Sequence, residues 1–202
     1  MSSRPTGAAR PLRRDAEDNR RRVVQAAREV FAARGLQATL NDVAHHAGLG
    51  VGTVYRRFPD KETLADAVFA DELDEIAAMA REALDEDDAF AALAGFLERA
   101  LERASRNRAL REVMERAEFG GEGLGRARLE IAGHCETLID RARSQGALRE
   151  GLTAADIPPI AAMINAVLAL PESASRPLWR RYLAVVLDGL RAGEGGRPPL
   201  PD

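Results

Sequence analysis

The stretch GLGVGTVYRRF (residues 48–58) sets three glycines beside a threonine, a tyrosine and two arginines. A glycine inside a helix costs roughly 1 kcal/mol against alanine. Glycines next to exposed cations therefore need a reason, and two chemistries supply one. A glycine-rich loop cradles phosphates with its backbone amides. A helix tip stripped of side chains lets backbone approach a polyanion closely.

The phosphate-loop reading fails on context. A Walker loop needs a lysine followed by serine or threonine after its last glycine. The single lysine, Lys61, lies beyond the glycines and follows Asp60. A dinucleotide fingerprint needs a strand before the glycines, whereas LNDVAHHA (40–47) has helical spacing.

The helix-tip reading fits the periodicity. At about 100° per residue, Val54, Tyr55 and Phe58 share one side, and Gly52, Thr53, Arg56 and Arg57 fall on the other. The preceding short helix turns Val43, Ala44 and Ala47 inward. Two short helices joined by a tight glycine-containing turn make a helix-turn-helix, whose second helix meets base edges in the major groove through its N-terminal residues.

The elements that must position this pair are helical. Ala, Leu, Glu and Arg dominate the chain, 46% of residues are hydrophobic and only 4% aromatic. No alternating β-branched run suggests a strand, so the fold class is all-α. Residues 1–14 are basic and aperiodic and read as a disordered arm. A first helix runs from about Ala16 to Arg34 with Val23, Ala26, Ala27, Val30 and Phe31 on its apolar face, and Gly35 stops it. Thr39 with Asp42 forms a capping box for the second helix, and Pro59-Asp60 caps a long fourth helix from Lys61 to about Leu84. Asp87 or Asp88 opens the fifth helix, and a short sixth covers 108–117. FGGEGLG (119–125) reads as a flexible break before a seventh helix over Arg126–Gln145. Thr153 with Asp156 opens the eighth; the ninth follows a loop between Pro171 and Pro177, and 192–202 reads as a disordered tail. About nine helices divide into a helix-turn-helix domain over 15–60 and a helical body over 61–191.

The charge divides at the same boundary. Residues 1–61 carry a net +6 and the remainder −9, within a total of −3. A basic front on an acidic body suggests that the front meets a polyanion; chance clustering in an arginine-rich protein is the plain alternative. One cysteine, Cys135, excludes an internal disulfide and a cysteine-rich zinc site. The longest apolar run, IAAMINAVLAL (160–170), is too short to span a bilayer, and the N-terminus lacks the apolar core of a signal peptide. The expectation is a cytoplasmic protein without a membrane partner, metal or cofactor. The adjacent His45 and His46 lack a partner at ligand spacing and read as solvated or backbone-contacting residues rather than metal ligands.

Residues 39–64, TLNDVAHHAGLGVGTVYRRFPDKETL, resemble the DNA-binding signature of the TetR/AcrR family of bacterial transcriptional regulators. The resemblance covers about residues 16–70, and AG at 47–48, GTVY at 52–55 and FPDK at 58–61 carry it. It implies that Thr39 caps the second helix and touches a phosphate. Asn41 would lie near the DNA edge, and Gly50, Val51, Gly52 and Thr53 at the recognition-helix tip. Tyr55 would give its hydroxyl to a phosphate while its ring packs inward, or serve the core alone. Arg56 and Arg57 would reach bases or only backbone, and Lys61 would hold a phosphate. The sequence departs from the family where a polar residue often fills position 50 or 51; Val51 suits a thymine methyl. Arm residues Arg10, Arg13 and Arg14 are either inert or lie along DNA.

The rest of the chain matches in architecture, with LREGLTAADI (148–157) before two apolar helices as a common family pattern. The resemblance implies a dimer and an enclosed small-molecule effector. Ile160, Met163, Ile164, Val167 and Leu168 form one stripe, and Trp179, Tyr182, Leu183, Val186 and Leu190 another. Two such helices per subunit suit a four-helix interface, or else serve the core of one chain. Candidate effector-lining residues are Met79, Phe96, Met114, Phe119, His134, Leu138 and Asn165, with core packing as the alternative for each. Cys135 as an oxidant sensor lacks a nearby cation to lower its thiol pKa.

The function expected is a repressor that binds a palindromic operator in double-stranded DNA as a homodimer and is released by a small apolar effector. The rivals are an effector-independent DNA-binding regulator and a helical interaction module without DNA binding. An enzyme fits poorly, because no nucleophile–base pair, metal set or cofactor loop appears in the sequence.

Overall fold

A computed structural model describes residues 9–116, 119–168, 178–193 and 198–200, with side chains from residue 16 onward. The head is built from α1 (Ala9–Arg34), α2 (Leu40–Ala47) and α3 (Val51–Arg57). Helix α1 begins at Ala9, so residues 9–14 belong to a helix and not to the arm expected from their mixed composition. Val23, Ala27 and Phe31 of α1, Val43 and Ala44 of α2, and Val54 and Phe58 are buried together as the head's core. The Thr39–Asp42 box opens α2: Asp42 N donates to Thr39 Oγ1 over 3.2 Å, and Thr39 N donates to Asp42 Oδ2 over 2.9 Å. Gly48 closes the helix at φ +62°, a left-handed cap that favours glycine. Arg22 ties α1 to that corner by donating to the Ala47 carbonyl over 3.0 Å.

The body comprises α4 (Lys61–Glu82), α5 (Ala89–Arg106), α6 (Arg108–Glu115), α7 (Glu122–Ser144), α8 (Ile157–Leu168) and α9 (Leu178–Leu190). Asp60 caps α4 by accepting from Thr63 N, and Asp88 caps α5 by accepting from Ala91 N. Asn107 caps α6. The Thr153–Asp156 box forms as expected, but over a 3₁₀ turn (Ala154–Asp156) that leads into α8. Helix α4 runs from the head into the body and packs against α7.

Two stretches expected to be flexible contain residues with a defined place in the fold. Helix α7 begins at Glu122, inside the glycine-rich stretch. The reason is Asp66 on α4, which accepts the Leu124 amide at 2.8 Å and so caps α7 from a neighbouring helix. A Cβ on Gly121 would fall 2.9 Å from Asp66 Cγ, and one on Gly123 3.1 Å from the Ala70 Cβ. These glycines allow α4 and α7 to approach closely; they do not mark a loose joint. At the other end, residues 198–200 return to the α7–α8 connection. Arg149 Nε donates to the Pro198 carbonyl over 2.6 Å, and Leu200 N to the Glu150 carbonyl over 2.9 Å. The loop expected between Pro171 and Pro177 lies outside the described residues.

Candidate nucleic-acid interface and cavity

Helix α3 turns Val54 into the core and leaves Val51, Gly52, Tyr55, Arg56 and Arg57 exposed, with Thr53 half-buried. The expectation that the Tyr55 ring packs inward is corrected: 44% of the residue is exposed. At about 100° per residue Tyr55 sits on the shoulder of the buried stripe, and Val54 and Phe58 fill the core without it. Arg56 lies beside Thr53 Oγ1 at 3.4 Å, and Arg57 lies 3.7 Å from Glu17 of α1. Both guanidiniums are exposed, and such loose surface pairs hold a side chain weakly.

The glycines of residues 48–52 differ in kind. Gly48 serves the fold through its positive φ. A Cβ on Gly52 would meet nothing within 4 Å, and one on Gly50 only Thr53 Oγ1 at 3.8 Å. Nothing inside the protein demands glycine at either position.

Thr39 and Asn41 are exposed at the start of α2. The Thr39 hydroxyl donates to Asp42 Oδ2 over 2.7 Å. Those hydrogen bonds from Thr39, with the Arg34 guanidinium beside it, hold the Asp42 carboxyl below its ordinary value. Lys61 faces inward: Nζ donates to the Leu36 carbonyl over 2.8 Å. The Leu36 amide in turn donates to Glu112 Oε2 of α6 over 2.6 Å. The α1–α2 turn is thus held by α4 on one side and α6 on the other. His45 and His46 are exposed, and His46 Nε2 pairs with Glu29 Oε2 at 2.7 Å. Among the described residues no three His, Cys, Asp or Glu side chains converge as a metal site.

A cavity of about 500 Å³ lies in the body, walled by α4, α5, α6, α7, α8 and the 3₁₀ turn before α8. Three of the expected residues line it: Phe96, Met114 and Asn165. Met79 and Leu138 do not, because the wall ends at Ile76 on α4 and Cys135 on α7, about one turn short of each. His134 is half-buried on another face of α7, and Phe119 packs on the core from the α6–α7 connection. Sequence reasoning missed Arg128, which lines the cavity while its Nη2 donates to the Val113 carbonyl over 2.8 Å. Its signal was only an arginine at a position where the α7 pattern turns inward, between Leu124 and Cys135. Cys135 is buried in the wall, and burial pushes its thiol up to about 12, the opposite of a reactive sensor.

The stripes on α8 and α9 divide. Ile160, Ile164, Trp179, Leu183 and Leu190 are buried within the single chain, and Val167 and Val186 are partly buried. Met163 (56%), Tyr182 (49%) and Val185 (63%) remain exposed. Val185 was not singled out from the sequence.

Residues 23–68 match the family of bacterial regulatory proteins described as tetR, and residues 88–192 match the C-terminal domain described as transcriptional regulator SbtR-like. The chain belongs to the TetR family. The TetR regulator SCO0520 of Streptomyces coelicolor is 30% identical, with 85% of this chain and 98% of that one covered at a TM-score of 0.50. The regulator FadR of Bacillus subtilis, solved in complex with stearoyl-CoA, shares the fold at a TM-score of 0.62 and 17% identity, over 84% of this chain and 98% of that one. An HTH-type transcriptional regulator of Staphylococcus aureus (strain USA300) is 38% identical over 64 residues, which are 31% of this chain. The chain spans about a third of the length of such curated relatives. This TetR-family protein is a DNA-binding transcriptional regulator. No described helix is long and apolar enough to cross a membrane.

Proposed function

We propose that the protein is a repressor that binds a palindromic operator as a homodimer and is released when a small, largely apolar effector fills the body cavity. The observation that carries this reading is that the same two helices serve both regions. Helix α4 contributes Leu73 and Ile76 to the cavity, and its first residue holds the Leu36 carbonyl. Helix α6 contributes Met114 and Glu115, and its Glu112 holds the Leu36 amide. A ligand that prefers one arrangement of α4 and α6 therefore acts on the seating of α1–α3. The ligand must bind the state that does not bind DNA more tightly than the one that does. In a dimer, two recognition helices must stand about 34 Å apart to enter successive major grooves, so a small change in seating decides the fit. The stearoyl-CoA held by FadR supports a ligand role for this fold.

On the DNA side, Val51, Gly52 and Thr53 form the tip, with Gly50 and Gly52 admitting close approach. Arg56 and Arg57 reach bases or phosphates, and Tyr55, Thr39 and Asn41 flank them. Lys61 acts on the DNA surface by bracing the α1–α2 turn.

The test is a fluorescence-anisotropy titration against the DNA upstream of the protein's own reading frame, over a salt series. Sequence-dependent binding that weakens steeply with salt is expected, with a log–log slope set by the phosphates contacted. Arg56→Ala and Tyr55→Phe should each weaken binding while leaving the circular dichroism spectrum unchanged. Parental affinity in both variants sinks the assignment of α3.

A further inference from the structure

The cavity wall is hydrocarbon apart from a few groups, and two of those have polar atoms that the fold leaves unpaired. Asn165, on α8, is 2% exposed, and among the described residues neither its Oδ1 nor its Nδ2 has a hydrogen-bond partner. Arg128, on α7, has a buried Nε that is likewise unpaired, although its Nη2 donates to Val113. Buried polar groups in folded proteins are almost always satisfied, and an unmet one costs the full desolvation of that group. A ligand that supplies the missing partners recovers this loss; pure hydrocarbon does not.

The charge of the site narrows the ligand further. Glu115, the acidic residue of the wall, is exposed at the rim. The carboxylate whose field reaches Arg128 is Asp66, but its Oδ1 is committed to the Leu124 amide. Burial pulls the Arg128 guanidinium below its ordinary value, and Asp66 draws it back only in part. Arginine nevertheless stays charged in proteins, and its planar fork matches a carboxylate. The wall therefore presents a half-buried cation that Asp66 compensates only in part and a buried amide offering both donor and acceptor, set among apolar side chains.

We infer that the cavity selects an apolar molecule carrying a single anionic head, with the head on Arg128 and Asn165 hydrogen-bonded to a polar atom of the ligand. A cationic ligand is repelled by Arg128, and a neutral one can accept from its Nε–H but leaves the guanidinium charge unmatched. This inference rests on the proposed effector role only for its consequence at DNA; ligand selection is tested apart from it.

The test uses three probes with one body: 4-phenylbutyrate, 4-phenylbutan-1-ol and 4-phenylbutylammonium. Each is titrated calorimetrically into the full chain at one pH and ionic strength. The carboxylate is expected to bind at least about tenfold more tightly than the alcohol, as charge-assisted hydrogen bonds require. The ammonium should bind most weakly. Arg128→Met should erase the carboxylate's advantage while leaving the alcohol within about threefold of its parental affinity, a difference near the scatter of context effects. Arg128→Lys, which keeps the charge, should retain the preference, and it serves as the informative variant if Arg128→Met does not fold. Asn165→Leu should weaken the carboxylate and the alcohol together. Equal affinity for carboxylate and alcohol, a preference that survives Arg128→Met, or no binding of any probe overturns the inference. The same probes are then added to the protein–DNA complex. Selective carboxylate binding that leaves DNA affinity unchanged sinks the effector reading and leaves the anion selectivity standing. Release of DNA by the alcohol as readily as by the carboxylate, with matching affinities, does the reverse.

Discussion

At the scale of single residues, Gly52 separates what the fold needs from what the DNA needs. It lies inside a short helix, where glycine is unfavourable, and a Cβ there meets no atom of the described residues within 4 Å. Gly52→Ala should therefore leave the protein as stable as before or raise its stability by up to about 1 kcal/mol. Operator affinity should fall because the methyl projects from the exposed tip of α3. Thermal denaturation beside an anisotropy titration checks both halves. A variant that gains stability and keeps full affinity shows that backbone does not approach DNA at this point. Tyr55 makes the complementary case. The sequence put it beside Val54 and Phe58, yet a rotation of one residue places it on the exposed rim, where a phenol meets solvent or phosphate.

At the scale of elements, Glu112 supplies a hydrogen bond by which α6, which also packs on α1, holds the head. It accepts the Leu36 amide at 2.6 Å and Arg108 Nε at 2.8 Å. Gly35, at φ +64°, leaves room for that carboxylate; a Cβ there would lie 2.5 Å from Glu112 Oε1. Glu112→Ala strands the Leu36 amide and should cost about 1–3 kcal/mol. Burial pushes the Glu112 carboxyl up, but the Arg108 hydrogen bond, the Leu36 amide and the charges of Arg108 and Arg116 outweigh it, so its pKa is lowered. A carboxyl lowered by folding stabilises the protein above its unfolded pKa and loses that contribution as pH falls through the folded one. The stability difference between parent and Glu112→Gln should accordingly be full at neutral pH and shrink in the acid range, as denaturant melts at successive pH values would report. A difference that stays constant into acid assigns the effect to packing.

The same scale shows what was legible in the sequence. Thr39–Asp42, Asp60, Asp88 and Thr153–Asp156 announced their helices because a cap is a local bond between near neighbours. The start of α7 was not legible, since its cap comes from Asp66, far away in the chain. The order at 198–200 was hidden for a similar reason: it depends on hydrogen bonds to Arg149 and Glu150. Of the cavity, Phe96, Met114 and Asn165 were found from residue type, but the place where the wall ends depends on how far α4 and α7 run beside it. Arg128 was missed because an arginine in a helix reads as a solvated residue until its neighbours are known.

At the scale of the whole molecule, the proposed homodimer needs an apolar face that one chain leaves uncovered. Met163 on α8 and Tyr182 and Val185 on α9 supply exposed apolar side chains, whereas Ile160, Ile164, Trp179, Leu183 and Leu190 are consumed within the chain. This division sharpens the choice of test. Substituting the buried set unfolds the body and says nothing about association. Val185→Glu instead places a charge at an exposed position, where a lone chain tolerates it within about 0.5 kcal/mol. In a closed two-fold interface the same patch meets its own copy, so each dimer carries the substitution twice. Sedimentation velocity should show a monomer with unchanged helical content. Operator affinity should fall further for a two-half-site duplex than for a single half-site, because only the former depends on both subunits being held in register. A dimer that persists in Val185→Glu and in Met163→Glu moves the interface away from α8 and α9, to a face whose residues the apolar pattern did not mark.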